Sequence, residues 1–183
     1  VQIPAVEQVY DYYPHQMSGG MRQRVLIAAA LACNPELIIF DEPTTALDAT
    51  VQAQIINLIR SLRKELKLSS LLITHDLGVV AEICDHICVM YAGEVVEKAE
   101  VYDLYKNPKH PYTQGLLRSN ISVLKSSRTL ETMEGMPPNL LNPPSGCRFH
   151  PRCPHVMDIC RNEEPQAMEL NTSHYAKCWL YRH

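Results

Sequence analysis

Two short stretches of the sequence carry the residue types that phosphoryl transfer to water requires. In Leu37-Ile38-Ile39-Phe40-Asp41-Glu42 an apolar run ends in two adjacent carboxylates. Transfer to water needs a metal to neutralise charge and a group to activate the water, and Asp41 and Glu42 can divide those tasks. In Ser18-Gly19-Gly20 a small hydroxyl and two glycines stand just before an apolar-periodic segment that includes Val25, Leu26, Ala28, Ala29 and Leu31. A helix opening there presents unpaired backbone N–H groups and the positive end of its dipole, and both favour an anion such as phosphate. His75 closes a second apolar run and is followed by Asp76. Each piece also has a plainer reading: Ser-Gly-Gly is common turn chemistry, acids after an apolar run can mark a strand meeting a solvated loop, and a lone histidine is usually a satisfied core residue.

The elements that must position these residues follow from periodicity and breakers. A helix is predicted over 20–33, stopping at Asn34-Pro35 because proline disfavours helical geometry in the residue before it. The four apolar residues before Asp41 suit a buried parallel strand, which delivers Asp41 and Glu42 to the carboxyl end of a sheet, where α/β proteins place ligands. Asp48 can cap a helix running to about residue 66, with Val51, Ile55, Leu58, Ile59 and Leu62 as its apolar face. A strand over 70–74 follows, then a helix capped by Asp76 and reaching Cys84, then a hairpin of 86–91 and 94–98 about Ala92-Gly93. This alternation predicts an α/β fold with a mainly parallel sheet. Short helices over 101–106 and 112–119 lead to a polar, proline-rich linker at 120–145. The tail, 146–183, shows little periodicity, carries four cysteines and needs a staple to fold. Four regions result: 1–34, 35–119, 120–145 and 146–183.

With 46% hydrophobic and 20% charged residues the chain can bury the core of one modest domain, and a net charge of -3 gives no overall basic footprint for nucleic acid. No apolar stretch approaches the ~20 residues of a membrane span and no signal peptide opens the sequence, so membrane association is expected only through a partner. Seven cysteines is an odd number, better read as core thiols or metal ligands than as a disulfide framework.

The combination Tyr13-Pro14-His15-Gln16-Met17-Ser18-Gly19-Gly20-Met21-Arg22-Gln23-Arg24 with Asp41-Glu42 resembles the nucleotide-binding subunit of ABC transporters. The signature loop of that family has the form Leu-Ser-Gly-Gly-Gln, and its Walker B strand ends in Asp-Glu. Pro43-Thr44-Thr45-Ala46-Leu47-Asp48 is similar to the D-loop, and Leu71-Leu72-Ile73-Thr74-His75-Asp76 to the H-loop strand. Downstream, Asn107 to Leu117, Gly135-Met136-Pro137-Pro138-Asn139-Leu140 and Gly146 to Pro154 look like the C-terminal extension of oligopeptide and dipeptide importers. The resemblance covers nearly the whole chain.

The resemblance implies the C-terminal part of an ABC-type P-loop ATPase domain with a small irregular Cys-rich extension. It implies ATP and Mg2+ as ligands, with Asp41 holding Mg2+ through water, Glu42 as general base and His75 contacting the γ-phosphate. Ser18, Gly19 and Gly20 would close over ATP bound to the opposite subunit of a dimer, with Asp48 at that interface. Met17 and Met21 depart from the commonest Leu and Gln, though Gly-Gly-Met-Arg-Gln-Arg is also similar to the peptide-importer variant. The implied partners are a second ATPase subunit, transmembrane permease subunits and, indirectly, a periplasmic or extracellular peptide-binding protein. The implied location is peripheral, at the cytoplasmic face of the inner membrane. No G-x-x-x-x-G-K-[ST] occurs in the sequence, so the phosphate-binding loop is expected upstream in a longer subunit and these 183 residues alone are not expected to turn over ATP. A nickel or glutathione importer, an ABC ATPase that moves no solute and a non-catalytic metal-binding module stand as rival readings.

Cys147, Cys153, Cys160 and Cys178 have five, six and seventeen intervening residues, which is not the Cys-x2-Cys rhythm of common zinc sites. His150, His155 and His174 are alternative ligands. Peptide-importer ATPases with a similar tail can carry a [4Fe-4S] cluster, and the resemblance therefore implies that cluster at the four cysteines, ahead of zinc. Cys33, Cys84 and Cys88 sit in apolar contexts and are expected in the core.

Overall fold

The structure, a computed structural model, describes residues 1–124 and 133–182. The chain forms two compact units, Val1–Ile83 and Cys84–His183. In the first, a short helix α1 (Val6–Val9) precedes α2 (Gly19–Leu31), whose first turn is capped by Ser18: its Oγ accepts the Met21 N–H at 3.3 Å. The helix ends two residues before the predicted stop, and Asn34 takes a left-handed φ of 48° ahead of Pro35. Strand β1 (Leu37–Asp41) then pairs in parallel with β2 (Ser69–Ile73), in a register running from Leu37↔Ser69 to Asp41↔Ile73.

Helix α3 (Ala49–Leu66) crosses between those strands, its start capped by Asp48 Oδ1, which accepts the Val51 N–H at 3.0 Å. Ile55, Ile56, Leu58 and Ile59 are its buried residues, while the predicted face members Val51 and Leu62 are only half-buried. Helix α4 (Leu77–Ile83) is capped by Asp76, whose Oδ1 accepts the N–H groups of Gly78 at 2.8 Å and Val79 at 3.2 Å. The other Asp76 oxygen accepts Gln52 Nε2 at 2.9 Å, tying the starts of α3 and α4 together.

The strand before Asp41 is expected to be buried on both faces, and the structure corrects this. Ile38 and Phe40 are buried, whereas Leu37 and Ile39, with Leu71 and Ile73 of β2, are about half exposed. A parallel pair is buried on both sides only where helices cover both, and here one face is covered.

The second unit opens with the antiparallel hairpin β3 (His86–Tyr91) and β4 (Glu94–Glu100). Ala92 and Gly93 both have positive φ, 50° and 84°, as a tight two-residue hairpin turn requires. Helices α5 (Val101–Lys106) and α6 (Pro111–Leu124) follow. Helix α6 runs five residues past its predicted end, since 120–124 hold no glycine or proline. Within the predicted linker, residues 125–132 lie outside the described residues. In the tail, a short helix α7 (Asp158–Asn162) precedes β5 (Met168–Asn171) and β6 (His174–Ala176). These strands complete an antiparallel sheet of order β3-β4-β6-β5. The expectation of a mainly parallel sheet is therefore wrong: among the described residues parallel pairing is confined to β1 and β2, and the Cys-rich extension is not wholly irregular. Strands of four and three residues are too short to show a period, and β6 is specified by pairing with β4 across a long sequence separation.

Glu97 organises this unit. Its carboxylate, 1% exposed, accepts the backbone N–H of Lys109 at 2.7 Å, that of His110 at 2.8 Å and His174 Nε2–H at 2.7 Å. One side chain of β4 thereby holds the entrance to α6 and the start of β6. Removing one partner from such a buried ionic cluster costs about 3–5 kcal/mol. Phe149 adds an apolar anchor, packing edge-on to Tyr91 at 5.1 Å and against Tyr112 and His110. On the outside, Glu94 bridges Arg148 at 2.6 Å and Lys177 at 2.7 Å. The staple that the tail needs is thus supplied in part by sheet pairing, one aromatic side chain and one buried carboxylate. Among the described residues no helix is long and apolar enough to cross a membrane.

His110 caps α6 as a neutral imidazole: Nδ1 accepts the Tyr112 N–H at 3.1 Å, and Pro111 occupies the first helical position. Burial pushes its pKa down from 6.5 to about 4, against a smaller opposing pull from Glu97. The unfolded chain binds a proton near pH 6.5 that the folded chain refuses until about pH 4, so stability falls as pH drops through that window. The expected loss is about 3 kcal/mol, read by denaturant unfolding followed through the fluorescence of Trp179, the single tryptophan. His110→Asn, which keeps a capping acceptor, should flatten this slope, and an unchanged slope would refute the assignment.

Candidate functional site

The β1–β2 register places the carboxyl ends of both strands side by side. The Glu42 N–H donates to the Ile73 carbonyl at 2.9 Å, extending the ladder one step past β1. From this position Glu42 Oε1 meets His75 Nδ1 at 2.8 Å, while Thr45 Oγ1–H donates to Oε2 at 2.7 Å. Glu42 has φ 49° and Ala46 φ 63°, both left-handed values uncommon for residues other than glycine. Backbone strain of this kind concentrates where a side chain must be aimed against local preference. Asp41, one residue earlier, is exposed at the end of β1, and no hydrogen bond occupies its carboxylate among the described residues.

The hydrogen bonds from Thr45 and His75 hold the Glu42 carboxyl below its ordinary 4.5, and the bond to Glu42 raises His75 above 6.5. His75 favours its charged form in the fold, so its contribution is complete below pH 6.5 and is lost as pH rises through the raised value. Glu42 contributes above pH 4.5, and that contribution is lost as pH falls through the lowered value. The pair therefore operates between the two, in a solvated setting where salt screens it, since the His75 side chain is 79% exposed.

The loop expected to bind phosphate has local duties as well. Ser18 Oγ accepts from Met21 and retains its own O–H to donate elsewhere. A Cβ on Gly20 would meet Val51 Cγ1 at 2.6 Å, and one on Gly19 would meet Leu47 at 3.1 Å. Gly20 is thus required for the close approach of α2 to the first turn of α3, besides any role toward an anion. Asp48 spends one oxygen on capping α3.

The four tail cysteines lie close enough for their charges to act on one another. Burial, then the neighbouring Cys147, Cys153 and Cys160, push the Cys178 thiol up to about 11, and burial likewise raises Cys147 and Cys153. The Cys147 N–H donates to the Cys160 carbonyl at 2.9 Å. Among the described residues no group of three or more His, Cys, Asp or Glu side chains is arranged to hold a metal ion, so the four-cysteine expectation rests on donor chemistry alone. Of the alternative ligands, His174 is committed to Glu97, and His150 Nδ1 bonds the Cys147 carbonyl at 3.0 Å. Cys33 and Cys88 are exposed and Cys84 is half-buried, which corrects their placement in the core. Cys33 lies past the end of α2, and Cys88 falls on the open face of β3, where alternate residues point outward.

Comparisons with known proteins place the sequence among relatives. Residues 2–45 match the family model described as ABC transporter, and residues 96–160 the one described as Oligopeptide/dipeptide transporter, C-terminal region. The dipeptide transport ATP-binding protein DppD of Caldanaerobacter subterraneus subsp. tengcongensis is 48% identical over 96% of this chain and 54% of its own. The oligopeptide transport ATP-binding protein AppD of Bacillus subtilis is 51% identical over 96% and 53%, and OppD of Salmonella typhimurium 52% over 90% and 49%. A solved ATP-binding cassette, MJ0796 bound to ADP and Pi, overlaps 52% of this chain and 40% of its own at 37% identity and a TM-score of 0.47. The class is the ABC-type ATP-binding cassette. Within it, the chain belongs to the family of ATP-binding proteins of oligopeptide and dipeptide transporters. It spans about half the length of the curated relatives it matches.

Sequence reasoning named Glu42 and His75 but missed Thr45, whose spacing of three from Glu42 across Pro43 was the available signal. It also missed Glu97, since a glutamate in a hairpin strand reads as solvated. An NMR titration of the imidazole nitrogens should show His75 above 6.5, and Glu42→Gln should bring it back toward that value. An unmoved His75 in the variant would show that the pair does not form in solution.

Proposed function

We propose that the whole protein is an ATPase subunit that powers import of oligopeptides or dipeptides through transmembrane permease partners, lying peripherally at the cytoplasmic face of the inner membrane. The observation that carries this reading is the 2.8 Å pairing of Glu42 with His75 beside the exposed Asp41 at the carboxyl end of a parallel strand pair. The match of residues 96–160 to the transporter C-terminal region supports peptides as cargo. The relatives' printed functions, dipeptide and oligopeptide transport, point the same way.

In this reading Asp41 is the residue that would hold Mg2+, and the cation would supply charge neutralisation for the phosphates. Glu42, kept ionised by its two donors, takes the proton of the attacking water. His75 orients that water and contacts the γ-phosphate through the ring nitrogen that Glu42 leaves free. Ser18, through its uncommitted O–H, and the backbone of Gly19 and Gly20 close over ATP held by a second ATPase subunit. Asp48 lies at that dimer interface, and a peptide-binding protein presents the cargo to the permease. Glu42→Gln in the whole protein keeps the shape of the side chain but cannot accept a proton. Hydrolysis should fall by about 100-fold or more while ATP affinity persists and an ATP-bound dimer accumulates. Turnover above about a tenth of the parent in a steady-state assay would remove Glu42 from the role of base.

The same reading gives Cys147, Cys153, Cys160 and Cys178 a metal centre, a [4Fe-4S] cluster ahead of zinc. Its support is the donor chemistry of four thiols, of which burial and neighbouring cysteines raise Cys147, Cys153 and Cys178, groups that gain by sharing a cation. Anaerobic preparation should yield brown protein containing iron and sulfide, where zinc would leave it colourless. Cys178→Ser should lower the metal content, and metal-free protein from an anaerobic preparation would defeat the assignment.

A further inference from the structure

We propose that Thr45 is a positioning residue for Glu42, its hydroxyl holding one carboxylate oxygen while His75 holds the other. The inference rests on the reading of Glu42 as general base and adds a residue to its support. The sequence Glu42-Pro43-Thr44-Thr45 forms a turn closed by the Thr45 N–H, which donates to the Glu42 carbonyl at 3.2 Å. Proline at the second position presets the backbone for such a turn. The two threonines then divide. Thr44 is 8% exposed and anchors the turn against the unit, while Thr45 faces outward and places Oγ1 at 2.7 Å from Glu42 Oε2.

His75 cannot hold the carboxylate alone. Its side chain is 79% exposed, so a single bond from Nδ1 to Oε1 leaves the carboxylate free to pivot about that oxygen. An unrestrained glutamate side chain spreads over several rotamers, and only some of them aim the carboxylate at one place. The second bond, from a donor fixed by the same turn that begins at Glu42, removes the pivot before any substrate arrives. Each oxygen keeps a lone pair, so the group held in place can still accept a proton. Preorganisation of this kind acts on the chemical step and leaves nucleotide binding alone.

Two substitutions separate the hydroxyl from the shape of the side chain: Thr45→Val keeps the branched form without the donor, and Thr45→Ser keeps the donor without the methyl. In the 183-residue chain, side-chain carbon–carbon couplings of Glu42 should report one rotamer for the parent and Thr45→Ser, and rotamer averaging for Thr45→Val. In the whole protein, Thr45→Val should lower kcat by about tenfold with KM for ATP held within about twofold, and Thr45→Ser should restore kcat. Unaveraged couplings in Thr45→Val, a loss that Thr45→Ser does not restore, or a change in KM alone would each overturn the proposal. Should Glu42→Gln retain turnover, the general-base reading fails, and the couplings still decide whether Thr45 positions Glu42.

Discussion

The parallel pairing of Leu37–Asp41 with Ser69–Ile73 is the constraint on which the candidate site depends. Parallel strands finish at the same end of a sheet, so two segments more than thirty residues apart deliver their terminal polar residues to one place. A shift of one residue in β1 would turn Ile38 and Phe40 outward, and a shift in either strand would carry Glu42 away from His75. Burial of one face selects the register, and the register in turn selects the geometry of the candidate site. The left-handed backbone at Glu42 is the local cost of leaving the strand while keeping the hydrogen bond to Ile73.

Small residues and caps around the site serve two ends at once. Gly20 is glycine because Val51 leaves no room for a Cβ, and the close contact of α2 with α3 also sets the direction in which the first N–H groups of α2 point. Ser18, Asp48 and Asp76 each satisfy orphan donors at a helix start while standing beside residues with proposed roles in nucleotide chemistry. Structural and functional demands on these residues coincide, so a substitution that abolishes activity here needs a fold readout beside it.

The second unit solves a different problem, how a tail with little apolar periodicity is held in place. A single buried carboxylate, Glu97, gathers donors from two other segments, and Phe149 fills an aromatic niche of Tyr91, Tyr112 and His110. A buried charge is tolerated because every contact it makes is a donor, and removing any one leaves the charge undercompensated. Cys147, Cys153 and Cys178 lie in the loops between these anchors and Cys160 on α7, so the anchors set how near the thiols lie to one another.

By itself the sequence determined the candidate site residues around Asp41 and Glu42 and most of the local elements. An apolar run ending in Asp41-Glu42, a capping aspartate before each of α3 and α4, Asn34-Pro35 after α2 and Ala92-Gly93 in the hairpin are all local signals, decided within a few residues. Tertiary structure decided what local signals do not encode: that β6 joins β4, making the larger sheet antiparallel, that one face of β1 stays open, and that Cys33 and Cys88 face outward. It also decided which polar side chains find each other. Thr45 differs from Thr44, and Glu97 from Glu94, only in the direction each faces. That direction follows from strand pairing and turn closure between segments far apart in the chain, which no local pattern records.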